Sequence, residues 1–280
     1  MKLMLGTVQF GMTYGAFNAA GKVPLDQICA MLDMANAAGM RLLDTAHAYG
    51  EAEAVLAHAK ASKRFGIVTK CPDLSDATDP LAAFHDAFEA SYAALGDVPL
   101  YGYLLHNPTD IERPGIWDAL TSLRDAGMTK RIGVSAYDVD SVQALCARYP
   151  MTLVQLPANV LDPWYDRVTL PETIEVHVRS AFLQGFLLSQ PDQLPPHLAP
   201  WRDVLAQFRA QAASLGLTPV QAALLPLLSC PRIAQVVVGC DSPAQLNEIL
   251  QAAQSPQTRP AIQFTPFEGV TKDLTDPRRW

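Results

Sequence analysis

Residues 66–105 read GIVTKCPDLSDATDPLAAFHDAFEASYAALGDVPLYGYLL and contain the unit from which we predict the fold. The stretch opens with a short apolar run at residues 66–70 and closes with another at residues 100–105, and we interpret both as strands. Between them we predict a helix over residues 80–95. Strands that alternate with helices in this way form parallel pairs.

The same alternation runs along most of the 280-residue chain, and eight parallel strands fit a closed barrel, which typically needs about 250 residues. A doubly wound open sheet is the alternative, but its glycine-rich GxGxxG turn occurs nowhere in the sequence. We therefore predict an α/β fold, a single-domain (β/α)8 TIM barrel over residues 1–280, with a core at about 3–253 and a C-terminal tail at 254–280. The predicted strands are 2–6, 41–44, 66–70, 100–105, 131–134, 152–156, 174–179 and 234–238, and the predicted helices are 25–39, 51–61, 80–95, 116–127, 139–149, 201–215, 219–228 and 243–252.

Two segments between these elements lack a long helix in the prediction. Residues 162–173 contain two prolines, so any helix there is short. Residues 188–200 contain four prolines and are predicted to be a loop at the end of the barrel where substrate pockets form.

Composition restricts the class of protein. The net charge of −7 and the pI of about 5.3 argue against broad binding to nucleic acid or to a membrane surface. The five cysteines are odd in number and show no CxxC spacing, so neither a disulfide framework nor a metal site is expected. The first residues lack a signal-peptide pattern, and no apolar run approaches the roughly 20 residues that span a bilayer. We expect a cytoplasmic protein.

Polar residues stand where three of the predicted strands end. Asp44 ends the second strand and is followed by Tyr49, Lys70 ends the third strand, and His106 follows the fourth. In a parallel barrel these ends converge on one site. A lysine held charged by Asp44 would lower the pKa of Tyr49 towards the working range. Tyr49 could then protonate an alkoxide, while His106 donates a hydrogen bond to the carbonyl oxygen.

Seven segments resemble the motifs of the aldo-keto reductase family, in the family's order and over about residues 3–253. The most specific is residues 43–53, LDTAHAYGEAE, which is similar to the signature DTAxxYGxxE. The others are VTK at 68–70, LLH at 104–106, GVS at 133–135, VQ at 154–155 with Asn159, RSAFLQG at 179–185, and Gly239 with QL at 245–246.

The resemblance implies an NAD(P)H-dependent oxidoreductase that interconverts a carbonyl compound and an alcohol, with NADP or NAD as cofactor and no metal. It also implies a small-molecule substrate and, most commonly, a monomer. Asp44, Tyr49, Lys70 and His106 match the family's catalytic tetrad, with Tyr49 as the general acid. The positions that match its cofactor site are Ser135 and Gln155 at the carboxamide, Arg179 beside the nicotinamide, Ser180, Leu183 and Gly185 at the pyrophosphate, and Gly239, Asp241 and Gln245 near the adenosine.

Three positions depart from the family's pattern. Ala136 replaces an asparagine, and Arg179 replaces an aromatic residue that stacks on the nicotinamide. A guanidinium plane can also stack, or it can bind a phosphate or an acidic substrate. Asp241 stands where members that prefer NADP carry a basic residue, so we expect NAD to be used as well as NADP or in preference to it. Basic residues of the tail are alternative phosphate ligands, namely Arg259, Lys272 and Arg278.

Other interpretations stay open on the sequence. A barrel that binds nucleotide and a protein partner without catalysis is one, and a lyase that forms a Schiff base on Lys70 is another, although Asp44 opposes the neutral lysine that this chemistry needs. The segment 6–15 is expected at the rim of the pocket. Candidates to reach the substrate are Gln9, Phe10, Met12, Tyr14, Trp164 and Trp201, with core packing as the alternative for the aromatic ones.

Overall fold

The computed structural model describes residues 1–168, 170–254 and 262–280. In this part of the chain eight parallel strands close into a barrel in sequence order, and β8 pairs back onto β1. The predicted (β/α)8 TIM barrel is confirmed. The strands are β1 Leu3–Gly6, β2 Leu42–Asp44, β3 Gly66–Cys71, β4 Leu100–Leu105, β5 Thr129–Ser135, β6 Leu153–Pro157, β7 Glu175–Arg179 and β8 Gln235–Val238.

Helices connect most consecutive strands and cover the outside of the barrel. After β6 a 3-10 turn, Trp164–Asp166, takes the place of a helix, as the two prolines predicted. Between β7 and β8 the chain instead forms two helices. The helices are α1 Val8–Gly11, α2 Leu25–Ala37, α3 Ala52–His58, α4 Pro80–Ala94, α5 Ile116–Asp125, α6 Val139–Cys146, α7 Arg202–Ser214, α8 Pro219–Ser229, α9 Pro243–Gln254 and α10 Lys272–Thr275.

Local sequence signals explain where two of these helices begin. The Asp79 carboxylate accepts the backbone N–H groups of Leu81 and Ala82 at 3.1 and 3.0 Å, and Pro80 occupies the first turn of α4. At α8 the side chains of Thr218 and Gln221 cap each other's backbone N–H groups in a capping box.

The interior of the barrel explains why polar residues meet at one end of it. Six apolar side chains, one from each of six strands, form the inner core: Met4, Leu42, Val68, Leu104, Leu153 and Val237. Side chains in a strand alternate between its two faces, so the residue two positions later points the same way. Those positions hold Asp44, Lys70, His106 and Gln155, together with Gly6 and Gly239. The carboxyl end of the barrel is therefore polar directly above an apolar floor.

The predicted loop at residues 188–200 and the C-terminal tail contain more structure than the sequence predicts. Two 3-10 turns, Pro191–Gln193 and Ala199–Trp201, occur in the segment predicted to be a loop. In the tail, α10 is followed by the turn Pro277–Arg279. The rings of Phe264 and Phe267 lie 6.1 and 6.4 Å from that of Phe208, which attaches the tail to α7.

No single described helix is long and apolar enough to cross a membrane. One pair, Ala199–Ser214 with Pro219–Ser229, passes a test of length and composition only when taken together, across a bend of 79°.

Candidate active site

A buried ion pair lies at the centre of the polar end of the barrel. Lys70 is fully buried, and its Nζ donates to Asp44 Oδ1 and to the carbonyl of Thr45, both at 2.8 Å. Gln155 Nε2 donates to the same Asp44 oxygen at 2.7 Å. Burial lowers the pKa of Lys70, and the adjacent Asp44 charge opposes that shift. The carboxylate thus fixes the direction of the ammonium group and keeps its charge compensated.

Tyr49 and His106 lie beside this pair. Lys70 Nζ is 5.1 Å from the centroid of the Tyr49 ring, and the rings of Tyr49 and His106 meet edge to face at 6.0 Å. The structure therefore brings together the four residues that the sequence grouped as Asp44, Tyr49, Lys70 and His106. Such a set can hold a carbonyl oxygen and move a proton to it.

The prediction that the pKa of Tyr49 is lowered is wrong. Burial raises this pKa, and the Asp44 charge raises it further, so the phenol stays protonated well above neutral pH. Lys70 gives two of its N–H groups to Asp44 and to Thr45. Burial, and after it the charges of Lys70 and Arg179, lowers the pKa of His106 to about 4. At neutral pH the site thus holds a neutral phenol and a neutral imidazole.

Two contacts hold the loop that carries Tyr49. At Gly11 of α1, a Cβ would lie only 1.8 Å from the backbone oxygen of Tyr49, so this close approach requires glycine. Behind the loop, the buried Glu53 carboxylate accepts hydrogen bonds from Thr69 at 2.5 Å and from Ser91 at 3.0 Å. Glu53 therefore ties α3 to β3 and α4. It matched the family signature in the sequence, and its position supports the loop from behind.

A cavity of about 690 Å3 opens above these groups, within the size range of small-molecule sites. We call it the strand-end cavity. Of the residues predicted to act in catalysis or to bind cofactor, Lys70, Ser135, Gln155 and Leu183 are buried beneath its described lining. Ser135 Oγ donates to Gln155 Oε1 at 3.4 Å, so these two form one buried pair beside Asp44. The predicted residues that line the cavity are Asp44, Tyr49, His106, Arg179, Ser180, Gly185, Gly239, Asp241 and Gln245.

The end of the cavity beside β8 carries acceptors and acids. Gln9 Oε1 and Asp241 Oδ1 are buried with no hydrogen-bond partner. Burial raises the pKa of Asp241, and hydrogen bonds to its carboxylate from Gln245 and Gln9 oppose that shift. At Gly239 a Cβ would come within 2.9 Å of the Gln9 amide, so a larger residue there would shift the end of the Gln9 side chain. Glu248 lines the same end. Unpartnered buried acceptors are costly, and hydroxyl groups of a ligand would satisfy them.

The segment after β7 has an unusual backbone. Ser180, Leu183 and Gln184 have φ values of 63°, 47° and 52°, and Gly185 has a φ of 99°. Left-handed conformations in residues other than glycine are uncommon and cost free energy, and they concentrate at ligand-binding sites. Residues 180–185 therefore do not form a regular connection from strand to helix.

The packing of two arginines on Tyr137, a residue that lines the cavity, was not found by sequence reasoning. The guanidinium carbons of Arg179 and Arg278 lie 4.0 and 3.5 Å from the ring centroid of Tyr137. Arg278 also makes a two-point ion pair with Asp276, at 2.8 and 2.6 Å. The tail had no periodicity that could place Arg278 near Tyr137, since 141 positions separate them in the sequence.

The basic residues of the tail were alternatives for a phosphate site. Lys272 Nζ pairs instead with Asp162 at 3.0 Å, and Arg278 is paired with Asp276. Neither residue is among the described residues that line the strand-end cavity. Arg259 lies outside the described residues.

The rim candidates divide into two groups. Gln9 and Tyr14 line the cavity, and Gln184 donates a 3.3 Å hydrogen bond to the Tyr14 hydroxyl. Phe10 is fully buried in the core, as the alternative of core packing predicted. Met12 and Trp201 are not among the described lining residues, and Trp164 lines a second cavity near the amino ends of the strands. Within the described ranges no group of three or more potential ligands could hold a metal ion.

Comparison with known proteins agrees with this geometry. The structure resembles that of an aldo-keto reductase from Bacillus halodurans in its holo form, with a TM-score of 0.72 and 18% identity, over 99% of this chain and 90% of the other. It also resembles a putative aldo-keto reductase from Pseudomonas aeruginosa, with a TM-score of 0.67 and 20% identity, over 90% and 89% of the two chains. At these identities the likeness shows the fold. The model of the aldo/keto reductase family matches residues 2–261, and the chain therefore belongs to that family.

Proposed function

We propose that this protein is an NAD(P)H-dependent oxidoreductase that reduces an aldehyde, ketone or sugar carbonyl to the alcohol, or catalyses the reverse reaction, with Tyr49 as the general acid or base. Membership in the aldo-keto reductase family supports carbonyl oxidoreductase chemistry in general. The observation that carries the proposal is the position of Tyr49 and His106 on one cavity, directly above the buried pair of Lys70 and Asp44.

The strand-end cavity fits a nicotinamide dinucleotide. Its far end offers the unpartnered acceptors of Gln9 and Asp241 to ribose hydroxyl groups, and Ser180 and Gly185 line the wall between the two ends. On the family resemblance we assign Ser135 and Gln155 to the carboxamide; they lie buried beneath the catalytic end and bond to each other and to Asp44. When bound, the nicotinamide supplies a hydride to the carbonyl carbon or accepts one from the alcohol.

The chain's own residues complete the reaction by moving one proton. Tyr49 holds the phenolic proton, since burial and Asp44 keep its pKa high, and it donates that proton to the carbonyl oxygen as negative charge develops there. Lys70 stabilises the resulting phenolate through its fixed positive charge. His106 is neutral and donates a hydrogen bond that orients the carbonyl oxygen. Reduction therefore starts from the protonation state that the site already holds.

The geometry does not favour a Schiff base on Lys70. The ammonium group is fully buried, donates to Asp44 and Thr45, and is not among the described lining residues of the cavity. No described contact specifically favours a purely regulatory barrel.

We further propose that NAD is bound at least as tightly as NADP. Asp241 and Glu248 line the end of the cavity that we assign to the adenosine ribose, and a 2′-phosphate there would meet two carboxylates. The basic residues Lys272 and Arg278 are already paired with acids elsewhere. We also propose a reducing, cytoplasmic compartment, because all five cysteines are free. The monomer that we propose rests on the family resemblance alone.

A fluorescence titration with NADH and NADPH, followed by an assay of aldehyde-dependent cofactor oxidation, tests the function. We expect binding of at least one cofactor, with NADH bound as tightly as NADPH or more tightly, and turnover that is lost in Tyr49→Phe while cofactor binding remains. Binding of neither cofactor would reject the proposed function. Much tighter binding of NADPH would reject only the role of Asp241.

A further inference from the structure

Arg179 is a cation without a counter-charge at the catalytic end of the strand-end cavity. It is the only lysine or arginine among the described residues that line the cavity. The described ion pairs include no carboxylate partner for it, whereas Lys70 is paired with Asp44 and Arg278 with Asp276. A half-buried charge that nothing compensates costs free energy, and an anionic ligand would recover part of that cost.

The guanidinium group is nevertheless held in one place. Nη2 donates to the backbone oxygen of Ala136 at 3.1 Å, and the plane packs on Tyr137 at 4.0 Å from the ring centroid. These two contacts leave other N–H groups of the fork without a described partner. A planar fork of this kind matches the two oxygens of a carboxylate.

Its position is at the end of the cavity where the reaction would occur. Arg179 is close enough to Tyr49 and His106 for its charge to act on both groups. The guanidinium group reaches towards the end of β5, where it contacts Ala136 and Tyr137, whereas Asp241 and Glu248 follow β8. An anion that binds Arg179 therefore lies next to the carbonyl group rather than at the adenosine end.

We propose that Arg179 binds a carboxylate of the substrate, so that the preferred substrates are oxo-acids in which the carboxylate and the reacting carbonyl are close together. This inference rests on the proposed function and specifies its substrate class. Arg179 is then the residue that selects acidic over neutral carbonyl compounds.

The test compares each acid with an uncharged substrate of the same shape. The probes are 2-oxo acids and ω-aldehyde acids of increasing length, each beside its primary amide, with kcat/KM measured for both. We expect at least one acid to exceed its amide by roughly 10- to 100-fold, the effect of a hydrogen-bonded charge pair. In Arg179→Gln the ratio of kcat/KM for the acid to kcat/KM for its amide should fall to about one, whatever loss the two substrates share. Arg278→Gln is the matched control, because Arg278 packs on the same ring but is already paired, and its ratio of acid to amide should stay as in the unmodified protein.

A binding measurement separates this inference from the proposed function. In calorimetric titrations with cofactor present, the unreactive acid oxamate should bind, oxamide should bind much more weakly, and Arg179→Gln should abolish the difference. Equal kcat/KM for acids and amides together with equal binding of oxamate and oxamide would overturn the proposal. If Arg179→Gln weakens NADH binding and leaves the preference for the acid intact, the guanidinium serves a cofactor phosphate and the proposal is wrong. Turnover of amides but not acids would reject the substrate class and leave the oxidoreductase function standing.

Discussion

The two ends of the barrel both carry a polar cluster and a cavity of similar size, yet they differ in how their charges are compensated. Near the amino ends of the strands, Tyr101, Arg131, Glu175 and His177 form what we call the base cluster. Arg131 and His177 each reach the Glu175 carboxylate at 2.7 Å, and the Tyr101 hydroxyl donates to both of its oxygens at 2.7 and 2.9 Å. The cavity beside the base cluster has a volume of about 610 Å3, against about 690 Å3 at the carboxyl end.

Cavity volume therefore does not distinguish the functional end of this protein, but charge compensation does. In the base cluster an arginine, a histidine and a phenol all contact the single carboxylate of Glu175. At the other end Arg179 has no acidic partner, and Gln9 and Asp241 keep unpartnered buried acceptors. Arg131 Nε and His177 Nδ1 of the base cluster also have no hydrogen-bond partner, so unpartnered buried atoms occur at both ends. The difference is the charge of Arg179, which no described acid compensates and which stays available for a ligand. The comparison predicts that changes in the base cluster alter stability and that changes in the strand-end cavity alter function.

The largest effect is expected for Tyr49→Phe. Removing the phenolic proton should lower kcat for carbonyl reduction roughly 1,000-fold, which lies within the usual range for the loss of a general acid. Cofactor affinity and melting temperature should hardly change, because the described structure shows no hydrogen bond from the Tyr49 hydroxyl. Steady-state kinetics and thermal unfolding of the same preparation measure both quantities. A variant that keeps most of its activity would show that another group donates the proton.

A smaller effect, on stability, is expected for Asp44→Asn, which leaves the Lys70 charge buried without compensation. Loss of one partner of a fully buried pair should lower the free energy of unfolding by about 3 kcal/mol at pH 7. Because the folded-state pKa of Lys70 lies below its ordinary value, the unfolded chain binds more protons, so this variant should become more stable as pH rises towards 9. Urea denaturation at several pH values measures this trend.

The double variant Asp44→Asn with Lys70→Met is the control for that trend. It removes both charges, so we expect it to recover stability relative to Asp44→Asn and to lose the dependence on alkaline pH. If the double variant is as unstable as Asp44→Asn, the loss of stability comes from packing rather than from charge.

A third variant tests the other end of the barrel. Glu175→Gln should lower stability at pH 7 by about 2 kcal/mol, less than a fully buried pair because the Arg131 side chain is 27% exposed. Burial alone would raise the pKa of Glu175, but hydrogen bonds from His177 and Tyr101 and the Arg131 charge outweigh it and hold the pKa below 4.5. This stabilisation is present above pH 4.5 and is lost as pH falls through the lowered value. The free energy of unfolding of this variant should therefore fall less steeply than that of the unmodified protein as the pH is lowered. Its kcat should be unchanged. A large loss of kcat would show that the base cluster also contributes to function and would contradict the distinction between the two ends.

The sequence predicted the barrel because the alternation of strands and helices is a local pattern, and it predicted which residues meet because strand ends of a parallel barrel converge. It also identified Asp44, Lys70 and His106 correctly as neighbours. It could not predict the raised pKa of Tyr49. That shift comes from the burial of the phenol and from the nearby Asp44 charge, and these, like the hydrogen bond from Lys70 to Asp44, depend on the folded site. The contact of Arg278 with Tyr137 and the close approach of Gly11 to the Tyr49 loop are likewise properties of long-range packing.

The smallest expected effect is an absence of titration near neutral pH. Burial and the charges of Lys70 and Arg179 hold the pKa of His106 at about 4, so the imidazole should stay neutral from about pH 5 upwards. We expect its ring protons, followed by NMR, to titrate near that value. Since the folded pKa lies below the ordinary 6.5, stability should decrease as pH falls from 6.5 to 4.

Arg179→Gln should raise the midpoint, because it removes one of the two cations, whereas Glu175→Gln at the far end should leave it in place. A midpoint near 6.5 in the unmodified protein would mean that the carboxyl end is better solvated than its burial indicates, and a shift caused by Glu175→Gln would mean that the two ends are electrostatically coupled.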